Sequence, residues 1–136
     1  MQISTARESD MDEVIALWEV CDLTRPWNDP VTDYRLALGN ETSAILLAHH
    51  EGQLVASVMT GFDGHRGWVY YLAVAPDARK QGLGRHMMAA AEQWLSESDS
   101  PKIQLMVRDE NEQALGFYKA LGYELQPVVT LGRKLI

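Results

Sequence analysis

Residues Arg79-Lys80-Gln81-Gly82-Leu83-Gly84-Arg85 place two glycines and three cations in seven positions. That mixture suits an anion. A glycine lets the backbone approach a ligand because no side chain intervenes, and the cations add formal charge. The apolar, aromatic run at residues 68–74 precedes the segment and reads as a buried strand. Residues 83–95 follow it and read as an amphipathic helix. The first amides of a helix lack internal partners, and the helix dipole adds positive partial charge there. A pyrophosphate fits such a cradle. The segment is neither of two common phosphate loops. No Gly-Lys-Ser or Gly-Lys-Thr opens the helix, and Met87 stands where the third glycine of a dinucleotide fingerprint would be. A plain glycine turn before a helix is the competing reading, but cations clustered on an otherwise acidic chain favour phosphate.

The elements that must carry this loop can be read from pattern. A short strand at residues 2–6 precedes a helix running from Asp10 to about Asp22. Asp10 is the expected N-cap, with Glu13 completing a capping box. Val14, Leu17, Trp18 and Cys21 share one helical face, which makes Cys21 a core thiol rather than a nucleophile. Two prolines make residues 24–30 a loop, and a second helix begins at Asp29 or Pro30 and ends before Gly39. Strands at 43–49, 53–62 and 68–74 form an antiparallel meander, joined by turns at Glu51-Gly52 and Asp63-Gly64. In the helix from Leu83, residues Met87, Met88, Ala91, Trp94 and Leu95 make a packing stripe. After a loop at 98–101, residues 102–107 alternate as a strand. It follows a crossover helix, so it should run parallel to the 68–74 strand. A helix at 111–121 ends at Gly122, a left-handed cap, and 123–125 and 128–135 read as two closing strands.

The chain has 136 residues, enough for one domain with its own core. Its 46% hydrophobic and 23% charged content is that of a soluble globular protein. A single cysteine makes no internal disulfide and fits a reducing cytoplasm. Neither a signal sequence nor a membrane-length apolar run is present, so a membrane role is not expected. A net charge of −7 argues against nucleic acid as the partner and would suit a cationic one. No metal requirement is apparent.

Residues 79–84 resemble the (Arg/Gln)-x-x-Gly-x-(Gly/Ala) motif of the GCN5-related N-acetyltransferases, the GNAT family. Asn111, Ala114, Phe117, Tyr118, Gly122 and Tyr123 resemble the family's N-x-x-A-x-x-F-Y-x-x-x-G-(F/Y). The resemblance implies a single GNAT domain over residues 1–136. Its fold would be of the α/β (α+β) class, a mixed, mostly antiparallel sheet of six to seven strands with helices on both faces, in the order βααβββαβαββ. It also implies acetyl-CoA as cosubstrate. Arg79, Lys80, Gln81, Gly82, Leu83, Gly84 and Arg85 would then hold the pyrophosphate. The backbone of Leu72, Ala73 and Val74 would run beside the pantetheine arm, with Leu72 and Val74 bonding to it and the Val74 amide near the thioester oxygen. Asn111 and Phe117 would also lie on the cofactor, although Asn111 also suits an N-cap and Phe117 a core position.

The resemblance makes Tyr118 the general acid, because a phenol is protonated at pH 7 and can donate to a departing thiolate. Many family members place a glutamate base on the strand matching residues 68–74, and this chain has no carboxylate there. Asp63 and His65 in the preceding turn are the candidate bases, against the reading of Asp63-Gly64 as a plain hairpin turn. Tyr70 or Tyr71 could instead order a water. Residues 25–30, 61–67 and 131–135 resemble the YpeA-type bacterial acetyltransferases, and the first of these loops lies over the acceptor in the GNAT fold. Arg25, Trp27, Asn28, Asp29, Arg66 and Tyr70 are therefore the acceptor-side candidates. The expected activity is acetyl transfer from acetyl-CoA to a small-molecule primary amine by direct attack in a ternary complex. The alternatives are acetylation of a peptide N-terminus, as in ribosomal-protein acetyltransferases, and a non-catalytic CoA-binding sensor or interaction module. GNAT proteins often form homodimers, so the resemblance also admits a dimer.

Overall fold

The computed structural model describes residues 1–136, which divide into two compact units, Met1–Met106 and Val107–Ile136.

In the first unit, five strands form one sheet, ordered β1-β2-β3-β4-β5. They are β1 (Gln2–Thr5), β2 (Ser43–His50), β3 (Gln53–Phe62), β4 (Gly67–Val74) and β5 (Ile103–Leu105). The first three pairings are antiparallel, and β4–β5 is parallel, as the crossover connection requires. The helices are α1 (Met11–Val20), α2 (Pro30–Leu38) and α3 (Leu83–Glu97). Helices α1 and α2 close one face of the sheet, where Val14, Leu17, Trp18, Tyr34, Ile45, Leu47 and Ala73 form one buried cluster. The methionine stripe of α3 closes the other, with Met87, Met88, Ala91 and Leu95 buried. Gly67 lies directly under this helix, and a Cβ there would meet the Leu95 methyls at 2.7 Å.

Helix α2 begins as its sequence dictates. Asp29 caps it by accepting from the Val31 amide (3.2 Å) and the Thr32 hydroxyl (2.8 Å), and Pro30 follows at the first turn. The start of α1 differs from expectation. A 3-10 turn over Glu8–Asp10 runs into the helix, so Asp10 is already helical and makes no cap bond to Glu13's turn. Its carboxylate instead accepts from the Arg7 amide at 2.9 Å. The extended residue is Arg7, and the reach-back to an extended residue moves three positions upstream with it.

In the second unit, α4 spans Glu112–Ala120. Asn111 caps it, accepting from the Ala114 amide at 3.1 Å. Gly122 follows in the left-handed region at φ 97°, where a non-glycine residue is disfavoured. The mixed α/β class is as expected, with the element order βααβββαβα. The strand count is five rather than six to seven. Residues 123–125 and 128–135 form no strand. Alternation gives them strand propensity, but a strand exists only when its backbone groups find a ladder partner. Here Val128 donates locally to the Gln126 carbonyl at 2.9 Å, and Leu125, Val129, Leu131 and Leu135 are exposed.

Candidate active site

Strand β4 changes character half-way along. Gly67, Trp68 and Val69 pair with Ile103, Gln104 and Leu105 on one side, and with β3 on the other. Beyond Val69 the β5 partner is gone, and residues 70–74 pair only with β3. The register on β3 also shifts there, from Met59↔Tyr70 to Ser57↔Ala73, so that Tyr71 and Leu72 stand opposite Val58 alone. This is a bulge, and Tyr71 occupies it at φ 54°. A left-handed tyrosine is rare and persists only where its surroundings fix it. Its ring stacks on Trp18 at 3.9 Å and 11°. Its hydroxyl donates to Asp33 Oδ2 at 2.6 Å. Its carbonyl accepts from Ser57 Oγ at 3.3 Å, and Ser57 Oγ in turn accepts from Trp18 Nε1 at 3.0 Å. The bulge lets Tyr70 and Tyr71 both face the α1–α2 side.

After the bulge, the Ala75 amide donates to the Val55 carbonyl. By antiparallel alternation, Ala73 faces β3 as well, while the amides and carbonyls of Leu72 and Val74 face the open edge. The Val74 carbonyl there accepts from Arg79 Nε at 3.1 Å and from Cys21 Sγ at 3.3 Å. Arg79 Nη2 also lies 3.6 Å from that sulfur. Thus Arg79 folds back onto the strand end. Cys21 is half-buried on the face expected for it and holds the strand end too.

Lys80 and Gly82 both adopt left-handed backbone, at φ 65° and 78°, and wind the chain into α3. Gly82 provides no side-chain cap, and α3 has no acid in its first turn. Helices α1, α2 and α4 all carry acids there. The ladder starts with His86 donating to the Gly82 carbonyl, so the earlier amides remain for another acceptor. Lys80, Gln81, Gly82 and Arg85 are exposed, Gly84 is half-buried and Leu83 is buried as an anchor.

In the second unit, Tyr118 is half-buried against Phe117 (5.0 Å between ring centroids) and Tyr123 (5.9 Å). Burial pushes its phenol up to about 12, so it is a proton donor across the neutral range.

The acceptor-side and base candidates are held in different ways. Asp63 Oδ1 accepts from the His65 amide (2.8 Å) and the Arg66 amide (2.7 Å), and Oδ2 from Trp68 Nε1 (3.2 Å). The Arg66 amide, then the His65 amide, holds this carboxyl below its usual range. That is the chemistry of a turn carboxylate, and it makes Asp63 a poor proton acceptor. The His65 ring is exposed. Arg25 is spent on its own loop, donating to the carbonyls of Asp22 (2.7 Å) and Thr24 (2.9 Å), and Arg66 donates to the His65 carbonyl. Trp27 is 54% exposed and Tyr70 42%, so both present apolar surface. Asn28 is exposed, and Asp29 is the α2 cap.

An open strand edge running into an uncapped, cation-flanked helix start is matched by a family model. The acetyltransferase (GNAT) family model aligns with residues 12–123. The chain belongs to the GNAT family. It is 44% identical over 136 residues to a Yersinia enterocolitica protein named acetyltransferase, covering 100% of this chain and 96% of that one. It is 45% identical, with the same coverage, to an acetyltransferase of Pectobacterium atrosepticum. In fold it is similar to the aminoglycoside N-acetyltransferase AAC(6')-Iy solved with the bisubstrate analogue CoA-S-monomethyl-acetylneamine. The TM-score is 0.84 and the identity 17%, over 99% of this chain and 98% of that one. The protein is thus a GNAT acetyltransferase.

Two features of this GNAT chain escape pattern reading. Asp33 reads as an ordinary first-turn acid of α2, and nothing in the sequence joins it to a tyrosine 38 residues away. Cys21 reads as a packing residue, and its bond to Val74 spans 53 residues.

Proposed function

We propose that this acetyltransferase moves an acetyl group from acetyl-CoA to a primary amine by direct attack in a ternary complex. The observation that carries the reading is the start of α3, exposed, uncapped and free of acids, beside the open edge of β4. The amides of the first turn, with Lys80 and Arg85, would hold the pyrophosphate. Arg79 would brace the Val74 end of the strand. The Leu72 and Val74 main chain would pair with the pantetheine arm, and the Val74 amide would polarise the thioester carbonyl. Gln81, Leu83, Gly84 and Ala73 complete the first unit's cofactor surface in this reading, and the family resemblance adds Asn111 and Phe117 as cofactor residues.

The thioester supplies the acetyl group. The amine nitrogen bonds to the carbonyl carbon, the carbon–sulfur bond breaks, and the thiolate takes the proton of the Tyr118 hydroxyl, which solvent then reprotonates. The amine's own proton leaves to water, with the exposed His65 nearby in the chain as the alternative acceptor. No acyl-enzyme is formed, because no activated nucleophile is present. The two units work as one domain, a reading supported by the family match running across both. The CoA analogue in the AAC(6')-Iy complex supports the cosubstrate. No helix is long and apolar enough to cross a membrane. We place the protein in the cytoplasm because its lone free cysteine suits a reducing compartment.

Calorimetric titration with acetyl-CoA, followed by thiol release across free amines, amino acids and short peptides, tests the reading. Binding with turnover supports it. Binding without turnover would favour a CoA sensor, which the engaged state of Asp63 also permits. Tyr118→Phe should lower kcat about a hundredfold with acetyl-CoA affinity unchanged, and an unaltered kcat would remove Tyr118 as the acid.

A further inference from the structure

Both faces of β4 bear on how an acceptor amine reaches its open edge. The α3 face is closed by Met87, Met88 and Leu95. On the other face Tyr70 is exposed, so an amine approaches from the α1–α2 side. Asp29, Asp33 and Asp63 lie in the loop at 24–29, in α2 and in the hairpin at 63–66. Both oxygens of Asp29 are used in capping α2. Both oxygens of Asp63 are used in its turn. Asp33 differs. Its Oδ2 accepts from the Tyr71 hydroxyl at 2.6 Å. Its Oδ1 accepts nothing, and no basic side chain forms an ion pair with it. The carboxylate is half-buried and held in place at the bulge by a ring stacked on Trp18. A carboxylate oxygen left without a donor can accept from an ammonium group, which offers three N–H donors.

We propose that Asp33 is the acceptor-specificity residue of this enzyme, seating a second, non-reacting ammonium of a diamine or polyamine through Oδ1 while Tyr71 fixes its position. The inference rests on the amine-acetyltransferase reading above and names the acceptor class for that site. The attacking nitrogen loses its proton, whereas the seated one keeps it and stays bound to the carboxylate. Such a seat selects among acceptors and leaves the acetyl-CoA cradle untouched.

The test compares 1,4-diaminobutane with butylamine, which lacks the second charge, by thiol release from acetyl-CoA. The wild type should favour the diamine by about tenfold or more in kcat/KM, carried mainly in KM. Asp33→Asn should erase that preference, with acetyl-CoA affinity by titration unchanged. Tyr71→Phe removes the phenol bond that fixes the carboxylate but keeps the charge, so it should weaken the preference without erasing it. A diamine preference that survives Asp33→Asn would overturn the proposal. So would an equal loss for both amines in the two variants, which would make the pair merely structural. Turnover by the wild type without any preference would remove the seat and leave the acetyltransferase reading intact. Acetyl-CoA binding with no turnover of any amine would remove both.

Discussion

The two halves of β4 are one strand in sequence and two devices in the structure. The first half, residues 67–69, is hydrogen-bonded on both edges and pinned beneath α3 through Gly67. The second half, residues 70–74, has one partner strand, a left-handed tyrosine and main-chain groups turned to an open edge. Pairing on both edges leaves backbone donors and acceptors nothing to offer a ligand. Pairing on one edge leaves them available but removes the neighbour that would hold the strand. The second half is therefore held from below, by Trp18, Ser57 and Asp33, and from its end, by Arg79 and Cys21. Stability at one end and availability at the other call for different supports, and substitutions should separate them.

The largest effect is expected at the prop. Trp18 is fully buried, and it both stacks on Tyr71 and donates to Ser57. Trp18→Ala should lose about 3–5 kcal/mol of stability in urea unfolding, with the bulge released. A loss under ~1 kcal/mol would show that the bulge stands without the prop.

Next comes the closed half. Gly67→Val places a side chain where the Leu95 methyls lie at 2.7 Å and Ser100 Oγ at 2.8 Å. Overpacking of this kind costs about 2 kcal/mol. The melting temperature should fall, while acetyl-CoA affinity of the folded fraction holds. If affinity fell as steeply as stability, the two halves would not be separable.

The cation-flanked loop should respond in the opposite sense. Lys80→Ala combined with Arg85→Ala should weaken acetyl-CoA binding about tenfold, or ~1.4 kcal/mol. The melting temperature should stay put, because both side chains are exposed. The effect should shrink as salt is raised, since exposed charges are screened. Unchanged affinity at low salt would take the phosphate away from this loop.

Much of this contrast was legible before the structure. Two glycines, flanking cations and a helix-period stripe marked the loop and the start of α3. A continuous apolar run marked β4 and alternation marked β3, because helices cover both faces of the sheet. The bulge left no trace, since one extra residue in an otherwise apolar run changes no composition and the shift shows only against β3. The prop was invisible for another reason. Trp18, Asp33 and Tyr71 lie far apart in the chain, and each has an adequate local explanation. The closing segments at 123–125 and 128–135 show the reverse error. Propensity was present, but a ladder partner is a property of the fold. Asp10 illustrates how a cap can be right in residue type and wrong in position, because a 3-10 turn moved the extended residue to Arg7.

The smallest effect belongs to the hairpin that feeds β4. Asp63 is held below its ordinary pKa first by the Arg66 amide and then by the His65 amide. A carboxyl with a depressed folded-state pKa contributes stability that is complete above its unfolded value, near 3.9. That contribution is lost as pH falls through the lower, folded value. Asp63→Asn removes the charge, keeps one side-chain oxygen for the His65 and Arg66 amides, and loses the acceptor of Trp68 Nε1. The variant should melt slightly lower than the wild type at neutral pH and match it in acid, once the native carboxyl is protonated. Its turnover at neutral pH should be nearly that of the wild type, because a carboxylate engaged by three donors takes no proton from an amine. A melting difference that persists in strong acid would show that shape rather than charge holds the turn. A collapse of turnover with stability intact would restore Asp63 as the base and move the chemistry toward the closed end of the strand.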